Sequence, residues 1–91
     1  NGLPEFYKNV GEQMIYPGQA KRMRVEGRVF VQFIVGLDGK LAEVTVIKGI
    51  GAGCDEEAVR IIQNSPPWNP AKQRGKPVRQ KLVLPIIFKL L

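Results

Sequence analysis

The sequence predicts an α+β domain: a three-stranded, antiparallel-type sheet in the order 2-1-3, with two helices on one face. Three observations predict it. A nearly all-apolar run from Arg28 to Val35 meets Asp38-Gly39 and then a second alternating run, which marks a hairpin. A segment of helical period follows, set between a glycine cluster and Ser65-Pro66-Pro67. The chain then closes on a long alternating run, Val78 to Leu90, with Pro85 inside it. Proline has no amide hydrogen for a ladder, so this last strand belongs at an edge. The first strand is the most apolar and takes the centre. The other two flank it, parallel to one another and joined through the helix. So small a sheet needs a cover, and both helices must lie on its apolar face.

Residues 1–12 are expected to form an arm or short helix ahead of a domain spanning 13–91. Phe6, Val10 and Met14 recur at four-residue spacing over 4–14, with Tyr7 beside them, although Gly11 weakens that helix. A second helix starts near Pro17, where a missing donor costs nothing, places Ala20 and Met23 on one face, and stops at Gly27. In the first strand Val29, Val31, Phe33 and Val35 share a face. A two-residue turn at Asp38-Gly39, both positions at positive φ, then sets Val35 against Ala42, Phe33 against Val44 and Val31 against Val46. The opposite face is mixed and offers Phe30 as its one aromatic. The helix from Cys54 to about Asn64 buries Cys54, Ala58, Ile61 and Ile62. Its opening Asp55-Glu56-Glu57 suits a positive helix end and argues against a phosphate loop at Gly49–Gly53. Trp68 to Pro77 reads as a loop, with Trp68 packed beneath it. The last strand puts Val78, Leu82, Leu84, Ile86, Phe88 and Leu90 on its core face, with Gln80 its one polar member.

Composition narrows the function classes. The chain of 91 residues makes one domain, 44% apolar, and holds no apolar run near the ~20 residues of a membrane span. No signal peptide is visible, and the opening Asn1-Gly2-Leu3-Pro4 is what a piece of a longer protein would show. One cysteine and no histidine leave no internal disulfide and no set of zinc ligands, and they exclude histidine-based catalysis. No metal, cofactor or catalytic residue is expected. Cys54 is read as core packing, since the neighbouring acids disfavour its thiolate. The net charge of +6 includes an acid-free run of Lys72, Arg74, Lys76, Arg79 and Lys81. Such a run favours anionic partners, though solvation is the default for surface lysine and arginine. An edge strand with unpaired backbone groups points to a binding module that adds a partner's strand.

An ordered set of motifs resembles the C-terminal domain of TonB energy transducers. The set is Tyr16-Pro17, Ala20, Val25-Glu26-Gly27, Val29–Val35, Asp38-Gly39, Asp55-Glu56-Glu57-Ala58, Trp68-Asn69-Pro70, Gly75-Lys76-Pro77-Val78 and Leu84-Pro85-Ile86-Ile87-Phe88-Lys89. The resemblance covers about residues 13–90. It implies a periplasmic domain of an inner-membrane-anchored protein, whose membrane helix meets a proton-driven motor complex and whose linker crosses the periplasm. Such a domain captures the TonB box of an outer-membrane transporter as an added strand, coupling proton-motive force to import of siderophores or other nutrients. Carried onto this chain, the partner-binding residues are Gln13, Met14, Ile15, Tyr16 and Pro17, with Val83, Leu84, Pro85, Ile86, Ile87, Phe88 and Lys89. The departures are Gly18-Gln19 in the second helix, Cys54 where a larger aliphatic is common, and the donor lost at Pro85. A homodimer through the last strand is a further expectation. The alternatives are another envelope domain of TolA-like fold gripping a different protein, and a basic nucleic-acid-binding module. No nucleic acid is expected, because single-strand binders need several stacking aromatics on an open face.

Overall fold

A computed structural model describes residues 3–90. Its elements are α1 (Leu3–Gln13), α2 (Gly18–Met23), β1 (Gly27–Val35), β2 (Leu41–Lys48), α3 (Cys54–Gln63), β3 (Ala71–Gln73), β4 (Lys76–Val78) and β5 (Gln80–Phe88). The main sheet has the order β2-β1-β5, antiparallel throughout, with the apolar β1 at its centre and the proline-bearing β5 at its edge. This is the arrangement that the hydrophobic pattern predicts.

The alternation in β1 decides where the core sits. Val29, Val31, Phe33 and Val35 are fully buried, and Ile86 and Phe88 of β5 meet them on the same face. From α3, Cys54, Ala58, Ile61 and Ile62 close over that face, and Ala20 of α2 joins them. α1 belongs to this core as well. Its Phe6 and Val10 are buried, and the Phe6 ring packs on Phe33 (6.0 Å between centroids) and edge-on to Trp68 (5.5 Å). Trp68 lies under its loop, as expected. Aromatic contacts of this kind contribute about 0.5–1.5 kcal/mol beyond area burial.

Four local expectations are corrected. α2 ends at Met23, not Gly27: Arg24 takes the left-handed conformation (φ 55°) and closes the helix, and Gly27 opens β1. Met23 is therefore 62% exposed and does not share the buried face of Ala20. The β1–β2 connection is a three-residue loop, Leu37 to Gly39, instead of a two-residue one. Gly36 N–H donates to the Lys40 carbonyl (2.9 Å), its carbonyl accepts from Gly39 N–H (3.0 Å), and Gly39 supplies the left-handed residue (φ 84°). That loop shifts the first pairs to Val35↔Leu41 and Ile34↔Ala42. A bulge at Glu43 (φ 52°) restores the expected Gln32↔Thr45 and Val31↔Val46, so Val44 and Val46 still face the core.

The third correction falls in the proline-rich loop. Residues 71–78 form a separate ribbon, β3–β4, turning at Arg74-Gly75 with both residues at positive φ (54° and 79°). The fourth follows from it: Val78 belongs to β4, so the last strand begins at Gln80.

Candidate functional site: the outer rim of the last strand

β5 pairs with β1 without a break, from Gly27↔Phe88 to Val35↔Gln80, and Pro85 sits opposite Phe30. A proline keeps such a register only where its missing N–H would point away from the neighbour. Antiparallel pairing alternates hydrogen-bonded and open pairs along the strand. Leu82, Leu84, Ile86 and Phe88 therefore turn their backbone groups to β1, and Lys81, Val83, Pro85, Ile87 and Lys89 turn theirs outward. Leu90 continues the alternation on the β1 side, where its N–H donates to Glu26 Oε2 (2.5 Å).

The side chains divide the same way. Leu84 packs against the core, and Ile86 and Phe88 are buried in it. Of the expected partner-binding set, Ile86 and Phe88 are spent on the core, and Leu84 is partly buried beside them. Val83 (46% exposed), Ile87 (53%) and the exposed Lys89 stand on the open face of the sheet, with Pro85 half-buried between them.

One contact interrupts the rim. The Tyr7 hydroxyl of α1 donates to the Pro85 carbonyl at 3.0 Å. That carbonyl points to the same side as the absent proline donor. At its midpoint the rim thus lacks a donor and has its acceptor engaged, while its two ends, around Val83 and Ile87, keep outward-facing groups. Burial pushes the Tyr7 phenol above its ordinary range.

The second expected segment, Gln13 to Pro17, is held by α3. Glu57 Oε2 accepts the Ile15 N–H (2.7 Å), and Arg60 Nη2 donates to the Gln13 carbonyl (2.7 Å). Glu57 and Arg60 also bind each other (Nε to Oε1, 2.7 Å). Arg60 first, then the Ile15 amide, hold the Glu57 carboxyl below the usual range, against the opposing effect of desolvation. Met14 packs against the core, and Ile15 projects outward at 68% exposure. The Tyr16 hydroxyl donates to the Val25 carbonyl, and its ring meets Phe88 edge-on at 5.8 Å. Pro17 caps α2. Tyr16 thus joins this segment to the carboxyl end of β5, which brings part of the two predicted clusters together.

Sequence reasoning missed Tyr7, Glu57 and Arg60 as parts of the site. Nothing local marks Tyr7, whose partner lies 78 residues away. The Glu57/Arg60 spacing was legible as a helix-surface pair, but not what it would hold. The thiol of Cys54 is buried at the start of α3, and burial, then Asp55, Glu56 and Glu57, push its pKa up, as its setting predicts.

The sequence model of the Gram-negative bacterial TonB protein C-terminal family matches residues 12–90. Two solution structures of a Helicobacter pylori TonB C-terminal domain are similar in fold. A longer fragment superposes with a TM-score of 0.73 at 21% identity, covering 98% of this chain and 80% of that one. A shorter fragment gives 0.70 at 22% identity, covering 96% and 91%. No curated protein sequence matches.

Proposed function

The chain belongs to the family of Gram-negative bacterial TonB C-terminal domains, and from that premise we propose that it captures a transporter's TonB box by strand addition to the outer rim of β5. It is a TonB-type transduction and interaction domain of the Gram-negative envelope. The proposal extends this to a periplasmic docking module, without catalysis of its own, that links a proton-driven inner-membrane motor to outer-membrane import. The observation that carries the reading is the alternation on β5, which leaves Val83 and Ile87 half-exposed at a sheet edge.

The energetics suit a reversible grip. At one end of the rim about four backbone hydrogen bonds, each worth roughly 0.5–1.5 kcal/mol net, oppose an ordering cost of ~1–2 kcal/mol per residue. Backbone pairing alone is weak, so side chains and charge must add to it. A dissociation constant near micromolar, about −8 kcal/mol, is the expected scale. The Gln13–Pro17 segment, anchored beside the Phe88 end of the strand, supplies a second contact in this reading.

The test is amide hydrogen exchange on the chain with and without a peptide spanning the TonB box of a transporter from the same organism. Val83 and Ile87 amides should exchange fast when free and slow when bound. Leu82, Leu84, Ile86 and Phe88 amides should be protected in both states. Peptide binding that leaves the Val83 and Ile87 amides unprotected would sink strand addition at this edge.

A further inference from the structure

The charges of this chain are unevenly spread. After Glu57 the sequence holds no acid at all, but it carries Arg60, Lys72, Arg74, Lys76, Arg79, Lys81 and Lys89. Five of the eight acids, Glu5, Glu12, Asp55, Glu56 and Glu57, lie on α1 and α3, where Lys8, Lys21 and Arg22 of α1 and α2 and Arg60 of α3 nearly balance them. Among the described residues no helix covers the face of the sheet opposite the core. Arg28 and Phe30 of β1, and Lys81, Val83, Ile87 and Lys89 of β5, alternate away from the core there. Ile47 of β2 joins them at 55% exposure. Glu43, an acid of β2, is met by Arg79 at 3.9 Å. The β3–β4 ribbon leads straight into β5 and exposes Lys72, Arg74 and Lys76. The molecule is long and thin, 49 Å by 22 Å by 16 Å.

We propose that the open sheet face and the β3–β4 ribbon together dock on an anionic phospholipid surface. Three features favour lipid over the other occupants. The cations are spread from the ribbon to the far end of β5, farther than a short edge-bound peptide reaches. Half-exposed aliphatics stand among them, the mixture of charge and shallow apolar insertion that an interface accepts. A second copy of this chain would bring an equally basic face against the first. The uneven charge also orients the molecule, leaving the nearly balanced helices away from the surface and steering the basic ribbon and sheet face towards it. The inference goes beyond strand addition: Lys72, Arg74, Lys76 and Ile47 lie off the rim, while Val83 and Ile87 are shared with it.

The experiment is sedimentation of the chain with vesicles of phosphatidylcholine alone, and of phosphatidylcholine with 30 mol% (about one lipid in three) phosphatidylglycerol, a content that gives a strongly anionic surface. The chain should pellet with the anionic vesicles only and should be released by salt. Each cation at such a surface is worth about fivefold in partitioning, so K72Q/R74Q/K76Q should weaken binding about 100-fold. Circular dichroism and box-peptide affinity check that this variant keeps its fold and rim. Ile47→Ser, on the strand farthest from the rim, should weaken vesicle binding while leaving its salt dependence unchanged. Equal binding to both vesicle types, no pelleting, or a triple variant that binds as well as the parent would overturn the proposal. So would tighter binding to polyglutamate than to anionic vesicles, which would make the partner an acidic protein.

Discussion

Replacing Tyr7 by phenylalanine separates the two roles that the structure gives α1. The ring stays, and with it the edge-on contact to Phe6 at 5.1 Å; only the hydroxyl that reaches the Pro85 carbonyl is lost. One neutral, part-buried hydrogen bond contributes about 0.5–1.5 kcal/mol net. For a domain of this size that corresponds to a fall in Tm of about 2–12 °C, at roughly 4–8 °C per kcal/mol. The same substitution frees an outward acceptor in the middle of the rim. A peptide that pairs across Pro85 then gains one bond, and its affinity should rise about 2- to 12-fold. Calorimetric titration with the box peptide reads the affinity, and thermal unfolding of the same samples reads the stability. The signature is opposition: a less stable domain that binds more tightly. A Tyr7→Phe domain with a lowered Tm and unchanged or weaker binding would refute the idea that α1 competes for the rim.

Ile87→Pro removes an outward donor from the carboxyl half of the rim and leaves the core face of β5 intact; box-peptide binding should weaken at least several-fold, and unchanged calorimetric affinity with the fold preserved would count against pairing there. Gly39→Ala forces a side chain into a left-handed residue (φ 84°) and drives its Cβ into the Trp68 carbonyl. The expected cost of about 2–4 kcal/mol should lower Tm by at least about 8 °C. The Glu57 carboxyl titrates below its ordinary 4.5, so its contribution is full above that value and is lost as pH falls through the depressed one. Protection of the Ile15 amide should fall as acid protonates Glu57, and Glu57→Gln should abolish the pH dependence; an Ile15 amide whose acid response is the same in Glu57→Gln would show that Glu57 does not hold it.

How far the sequence reached depends on whether a feature is written locally. The strand order was legible because one residue, Pro85, forces β5 to an edge and one run, Val29 to Val35, is apolar enough to be central. The cover by α3 was legible from Cys54, Ala58, Ile61 and Ile62. The β1–β2 loop was misjudged because Asp38-Gly39 fits both a two-residue turn and the end of a three-residue loop. The choice falls to the longer one, in which Gly39 alone needs positive φ and its carbonyl receives the Trp68 N–H at 2.8 Å. The β3–β4 ribbon was missed because its turn is Arg74-Gly75, where arginine has no intrinsic taste for the left-handed region. In the candidate site, Val83 and Ile87 were readable from alternation. The contacts of Tyr7 with Pro85 and of Glu57 with Ile15 span 78 and 42 residues, and no local pattern encodes such a meeting.

The split rim constrains what capture can be. A strand centred on Pro85 meets no donor there and an acceptor already engaged by Tyr7, so two of its bonds are missing at the start. A strand confined to one end meets two outward residues, Lys81 and Val83 or Ile87 and Lys89, and at most four bonds. Those are worth about 2–6 kcal/mol together, against roughly 3–8 kcal/mol for ordering three or four peptide residues. Neither arrangement holds a peptide by backbone alone. The carboxyl end has the better supplement, because the Tyr16 ring ties the Gln13–Pro17 segment to Phe88, and that segment exposes Ile15. A partner that pairs with Ile87 and Lys89 while covering Ile15 replaces lost backbone bonds with apolar burial, at about 25 cal/mol per Å². Full-length pairing demands that α1 release Pro85. On this account the hydroxyl of Tyr7 divides a short, weak grip from a long, stronger one, and pulling on α1 from its amino-terminal side would favour the longer.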